Sequence, residues 1–163
     1  MRTFLTFLAI SITISLVNIS TAGSLHGQVV GVSDGDTVTV LDANKRPNKI
    51  RLAGIDAPEK AQAYGQKAKD SLSELVYGKT VDVEWTKLDR YNRIVGKITL
   101  NHVDINLEQI KRGMAWHYKQ YQLGQTMQDR ISYAEYELRA RDKKIGLWQD
   151  PLPTEPWTFR RQK

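Results

Sequence analysis

An α+β fold, a small closed five-stranded barrel with three helices packed on it, is predicted by three features of the sequence. Short segments in the first half alternate apolar and polar residues with period two. Glycines at Gly35, Gly54, Gly78 and Gly96 fall at or inside those segments, where a tightly curved sheet needs bends. Three helical repeats then follow in the order strands, helix, strands, two helices.

The strands are marked by Val29, Val30 and Val32, by Val38 and Val40, and by Ile50 and Leu52. Val81, Val83 and Trp85, then Ile94, Ile98 and Leu100, mark the last two. Barrels of this size with helices include the OB-folds. Tyr64, Ala68, Leu72, Leu75 and Val76 recur at helical spacing until Gly78 stops them. Leu107, Ile110 and Met114 mark a second helix with Gly113 near its end. Met127, Ile131, Ala134 and Leu138 mark the apolar face of a third, with Glu135–Arg139 and Glu137–Arg141 pairs on its outer side and Gly146 closing it. From residue 150 to 163, Pro151, Pro153 and Pro156 predict an extended tail, pinned by Trp157 and Phe159.

The chain of 163 residues suffices for one domain with a real core. Met1 and Arg2 precede an apolar run from Phe4 to Ile19, and Ser20-Thr21-Ala22 supplies the small residues of a cleavage site. Residues 1–22 therefore read as a signal peptide cut after Ala22, and the product as secreted or periplasmic. An uncleaved segment of that length would instead anchor the chain to a membrane. Without cysteine there are no disulfides, thiolate nucleophiles or cysteine metal ligands. A net charge of +6 favours anionic partners, weakly. His26, His102 and His117 show no metal-binding spacing, and Trp85, Trp116 and Trp148 read as core or anchor residues.

Charge concentrates in Ile50-Arg51-Leu52-Ala53-Gly54-Ile55-Asp56-Ala57-Pro58-Glu59. Arg51 lies between Ile50 and Leu52, so it takes the opposite strand face and needs a carboxylate or phosphate partner. Asp34-Gly35-Asp36-Thr37 alone reads as a turn, and it lacks the ligand spacing of an EF-hand loop because Val38 and Thr39 stand where a ligand and glycine belong. Asp36 and Asp56, from two strand ends, with a backbone carbonyl and water, suit a hard cation. Arg93 closes the turn of Asp89-Arg90-Tyr91-Asn92-Arg93. Two guanidiniums, a cation site and Glu59 form the set that phosphodiester hydrolysis requires, converging on one phosphate. A glycosidase would need the paired carboxylates but not the arginines. A non-catalytic nucleic-acid-binding barrel is the alternative, and it predicts loss of Arg51, Glu59 or Arg93, all of which are present.

Asp-Gly-Asp-Thr at 34–37, Arg-Leu-x-Gly-Ile-Asp-x-Pro-Glu at 51–59, Asp-Arg-Tyr-x-Arg at 89–93 and Gly-Leu-Trp at 146–148 appear in the order seen in staphylococcal-nuclease-type thermonucleases. The chain resembles that family from about Ser24 to Trp148, so the nuclease domain is expected over 23–149. The resemblance implies an OB-fold barrel and calcium-dependent cleavage of DNA and RNA, single-stranded or frayed, with 3′-phosphate products, by a monomer. It implies Asp36, Asp56 and the Ala57 carbonyl as Ca2+ ligands, and Arg51, Glu59 and Arg93 as catalytic. Arg90 would sit near a terminal phosphate and Tyr91, with Tyr118 or Tyr121, would stack on a base with little sequence preference. Ala57 replaces a family threonine whose contribution is its carbonyl, and the loop after Glu59 is shorter than in the best-known member.

Overall fold

In the computed structural model, which describes residues 23–162, five strands close on themselves. They are β1 (Gly23–Asp34), β2 (Thr37–Leu41), β3 (Pro47–Leu52), β5 (Thr80–Leu88) and β6 (Ile94–Leu100). β1 pairs antiparallel with β2 and β5, β2 with β3, and β5 with β6. A parallel β3–β6 pairing, Ile50 to Ile94 through Leu52 to Gly96, completes the ring. The predicted closed five-stranded barrel is therefore present. Alternating residues of those strands fill it: Val29, Val38, Val40, Ile50, Leu52, Val81, Val83 and Ile98 are all buried. The predicted cleavage site and signal segment, residues 1–22, lie outside the described residues.

Short additions brace the barrel. β4 (Ile55–Asp56) pairs with β8 (Trp116–His117), and β7 (Val103–Asp104) extends the sheet beyond β6. The helices are α1 (Gly65–Val76), α2 (Ile105–Lys111) and α3 (Met127–Asp142), with 3-10 turns at Lys119–Gly124 and Gly146–Gln149. Gly146 has φ +60° because its backbone lies against Arg112 and Gly113, where a Cβ would stand 2.3 Å from the Gly113 carbonyl oxygen.

Two expectations are corrected. First, α3 turns its polar side inward. Tyr133, Glu137 and Ala140 are its buried residues, whereas Met127, Ile131 and Leu138 are exposed. The buried face is polar because each group has a partner. The Tyr133 hydroxyl donates to Asp104, and Glu137 accepts from the His117 main-chain N–H and from Lys119. Glu137 is thus not on the outer side. Second, the tail is not extended throughout: Pro156–Arg161 forms a fourth helix, α4. Pro156 stands in its first turn, where the missing N–H costs nothing and the fixed φ suits a helix. Trp157 holds α4 down, stacked on Tyr118 at 5.2 Å and edge-on to Trp116 at 5.7 Å.

Candidate active site

Every site residue predicted from the sequence lines one cleft of about 1010 Å³ at the barrel mouth. Asp36, Arg51, Asp56, Ala57 and Glu59 line it together with Arg90, Tyr91 and Arg93 of the β5–β6 turn and with Tyr118 and Tyr121. None of the three histidines lines it.

Asp36 emerges from the β1–β2 turn. The β2–β3 register sets Thr37 opposite Arg51, so Asp36 lies beside the guanidinium. Its carboxylate accepts from the Thr37 hydroxyl (3.1 Å) and the Ala57 N–H (2.8 Å) and ion-pairs with Arg51 (3.1 Å). The turn needs glycine at 35, where a Cβ would stand 2.6 Å from that of Ala68 and 2.7 Å from that of Ala57. From α2, Gln109 donates to the carbonyls of Gly35 and Ala68 and locks the turn against α1. Asn106 does the same between the ends of β3 and β6, donating to Ala53 and Gly96. Neither buried amide had a sequence signal beyond its place in a helix.

Arg51 is half-buried and braces the site. One terminal nitrogen donates to the carbonyls of Leu52 (2.7 Å) and Ile55 (2.9 Å), the other to Asp56 (2.8 Å). Asp56 is 1% exposed and sits on β4, opposite Trp116 of β8. Burial pushes Asp36 up to about 7 against the pull of Arg51, with Asp34 and Asp56 adding to the rise. A carboxylate buried this deeply beside a second one favours an additional cation. Among the described residues no three acidic or histidine side chains are gathered as a ready-made metal centre. The donor chemistry of Asp36, Asp56 and the Ala57 carbonyl, all oxygen, still fits a hard divalent ion such as Ca2+.

Arg93 is aimed by Asp89. The Asp89 carboxylate accepts from the main-chain N–H groups of Tyr91 and Arg93 (2.9 Å each) and from Arg93 Nε (2.7 Å). Burial is the largest single influence on the Asp89 carboxyl and raises it, but those three bonds and the Arg93 charge together outweigh it, so it titrates below the usual range. Among the described residues the two terminal nitrogens of Arg93 donate to no protein acceptor, which leaves the forked end free within the cleft lining. Tyr91 is 69% exposed beneath Arg90 and Arg93. Tyr121 is exposed under Lys87, whereas one face of Tyr118 is already covered by Trp157.

One residue in the cleft had no signal in the sequence. Arg160 of α4 donates to Glu59 Oε1 at 2.6 Å and to Asp56 Oδ2 at 2.8 Å. It lies in the segment expected to be an extended tail, and no local pattern links it to residues a hundred positions earlier.

A closed barrel whose mouth gathers carboxylates and guanidiniums in this way defines a phosphodiester-cleaving enzyme of the OB class. The family described as staphylococcal nuclease homologue matches residues 49–150. An uncharacterized endonuclease of Haemophilus influenzae is 48% identical over 136 residues, covering 83% of this chain and 73% of that protein. An uncharacterized endonuclease of Escherichia coli is 41% identical over 140 residues, 85% of this chain and 87% of that one. A micrococcal nuclease of Shigella flexneri is 37% identical over 155 residues, 90% and 86% respectively. The chain belongs to the staphylococcal nuclease family and is a nuclease, a hydrolase whose substrate is nucleic acid.

Proposed function

We propose that this nuclease is exported, depends on Ca2+, and cleaves DNA and RNA with little sequence preference, leaving 3′-phosphate ends. The observation that carries this reading is the meeting of Asp36, Asp56, Glu59, Arg51 and Arg93 in one cleft. Asp36, Asp56 and the Ala57 carbonyl would hold the ion, which when bound supplies Lewis-acid polarisation of the phosphoryl oxygen. Glu59 takes the proton from the attacking water or orients it. The forked end of Arg93 grips two non-bridging oxygens and stabilises the added charge as the water oxygen bonds to phosphorus. The P–O5′ bond then breaks and the departing 5′-oxygen takes up a proton, leaving the phosphate on the 3′ side. Arg51, which pairs with both aspartates, is with Arg93 the second guanidinium of the phosphate clamp. Exposed Tyr91 and Tyr121 offer stacking faces that every base satisfies, which supports weak sequence preference and a single-stranded or frayed substrate. Arg90 beside Tyr91 suits a terminal phosphate.

Export rests on the apolar run and small residues before Gly23. The chain is proposed to act as a monomer. The test is cleavage of single-stranded DNA with Ca2+ and with chelator, and by Glu59→Gln. Activity is expected to vanish with chelator and to fall roughly 10²- to 10⁴-fold in the variant. Equal rates in chelator would sink the cation dependence, and a near-normal variant the role of Glu59.

A further inference from the structure

The contact of α4 with the cleft is placed where it must interfere with the chemistry proposed above. Arg160 donates to both oxygens of Asp56, at 3.2 and 2.8 Å, while Arg51 takes Oδ1 as well. Both oxygens of the buried aspartate are therefore committed to guanidiniums. The same Arg160 nitrogen that touches Asp56 Oδ1 holds Glu59 Oε1 at 2.6 Å. A glutamate in a short charge-assisted bond is a poorer acceptor for a proton from water.

We propose that Arg160 is an internal counter-ion of the active site and that α4 is a latch which a divalent cation displaces to reach Asp56 and Glu59. This rests on the reading of Asp56 as a cation ligand. Three features suit α4 to the part. Its anchor is local: Pro156 is buried, and Trp157 stacks on Tyr118, so the helix is held at its start while Arg160 hangs from its last turn. Its leash, Asp150 to Glu155, carries Pro151 and Pro153 and no regular strand or helix, and is tied down where Gln62 donates to the Thr154 carbonyl. The last turn of α4 can therefore swing about its anchored start without unpicking the barrel. Its charge is exchangeable: the side chains of Arg160 and Glu59 are 42% and 39% exposed, so incoming ion and outgoing guanidinium reach the carboxylates from water. A bound cation that carries two charges on a compact sphere outcompetes one guanidinium for two carboxylates, and the released Arg160 remains tethered at the rim.

The experiment measures Ca2+ binding by isothermal titration to the protein and to Arg160→Gln and Asp56→Asn, with amide exchange of 156–162 followed with and without Ca2+. Arg160→Gln removes a half-exposed charge and is expected to fold and to bind Ca2+ roughly three- to tenfold more tightly, while exchange of α4 quickens when the unaltered protein is saturated with Ca2+. Unchanged or weaker binding by Arg160→Gln, or unchanged α4 exchange on saturation, would overturn the latch. Unchanged binding by Asp56→Asn would instead overturn the cation-site reading beneath it.

Discussion

Asp89 uses both carboxylate oxygens to shape the turn that carries Arg93, and so sets where a phosphate can be gripped. Asparagine can keep Oδ1 as the acceptor for both main-chain N–H groups but loses the charged oxygen that pairs with Arg93 Nε. Asp89→Asn is expected to lower turnover roughly 10- to 100-fold by misplacing the fork, less than the 10²- to 10³-fold loss expected for Arg93→Ala. The same residue predicts a pH signature. A carboxyl whose native pKa lies below its unfolded value binds fewer protons folded than unfolded, so its contribution is full above about pH 4 and is lost as pH falls through the native value. Urea midpoints of the protein and of Asp89→Asn should differ at pH 7 and converge towards pH 3; a gap that stays constant would show that the charge plays no part. The aspartate was visible in the sequence as the first letter of Asp-Arg-Tyr-Asn-Arg. Its role was not, because it depends on the left-handed Asn92, φ 59°, that curls the turn back on it.

At the scale of elements, the strands and α1 were legible because one face of each is buried and apolar, which leaves periodicity in the sequence. α3 defeated the same reasoning. Its buried positions carry Tyr133 and Glu137, polar residues whose partners come from β7 and β8, and no local pattern announces partners supplied from elsewhere. α4 failed for the related reason that a proline that breaks a helix interior also starts a helix. The inverted α3 has a consequence for the site. Glu137 holds His117, β8 pairs with β4, and β4 presents Asp56. Glu137→Ala leaves a cavity and an unpaired buried N–H, and is expected to cost about 2–4 kcal/mol in urea unfolding. Ile131→Glu, on the apolar but exposed side, is expected to cost under about 0.5 kcal/mol. The opposite ranking would mean that α3 buries the face its hydrophobic residues mark.

For the molecule as a whole, the basic excess matters less than how few of its charges are unpaired at the cleft. Six basic side chains line it: Arg51, Lys87, Arg90, Arg93, Lys97 and Arg160. Arg51 pairs with Asp36 and Asp56, Lys97 with Asp104 and Asp129, and Arg160 with Asp56 and Glu59. Among the described residues Lys87 and Arg90 have no carboxylate partner, and Arg93 keeps its forked end open beyond Asp89. A single strand threaded past Tyr91 and Tyr121 would therefore meet about three cations able to displace its counterions. Each such contact contributes about −0.7 to the slope of log affinity against log salt for single-stranded nucleic acid, so the slope should be near −2 rather than the steeper value a +6 protein suggests. Measured with the catalytically silenced Glu59→Gln and a short oligonucleotide, Arg90→Ala and Lys87→Ala should each flatten that slope by about 0.7. Glu59→Gln also weakens the hold on Arg160, so the double variant Glu59→Gln, Arg160→Gln should show whether a freed Arg160 contributes, by flattening the slope once more. A slope unmoved by Arg90→Ala and Lys87→Ala would place the nucleic acid on some other face of the barrel.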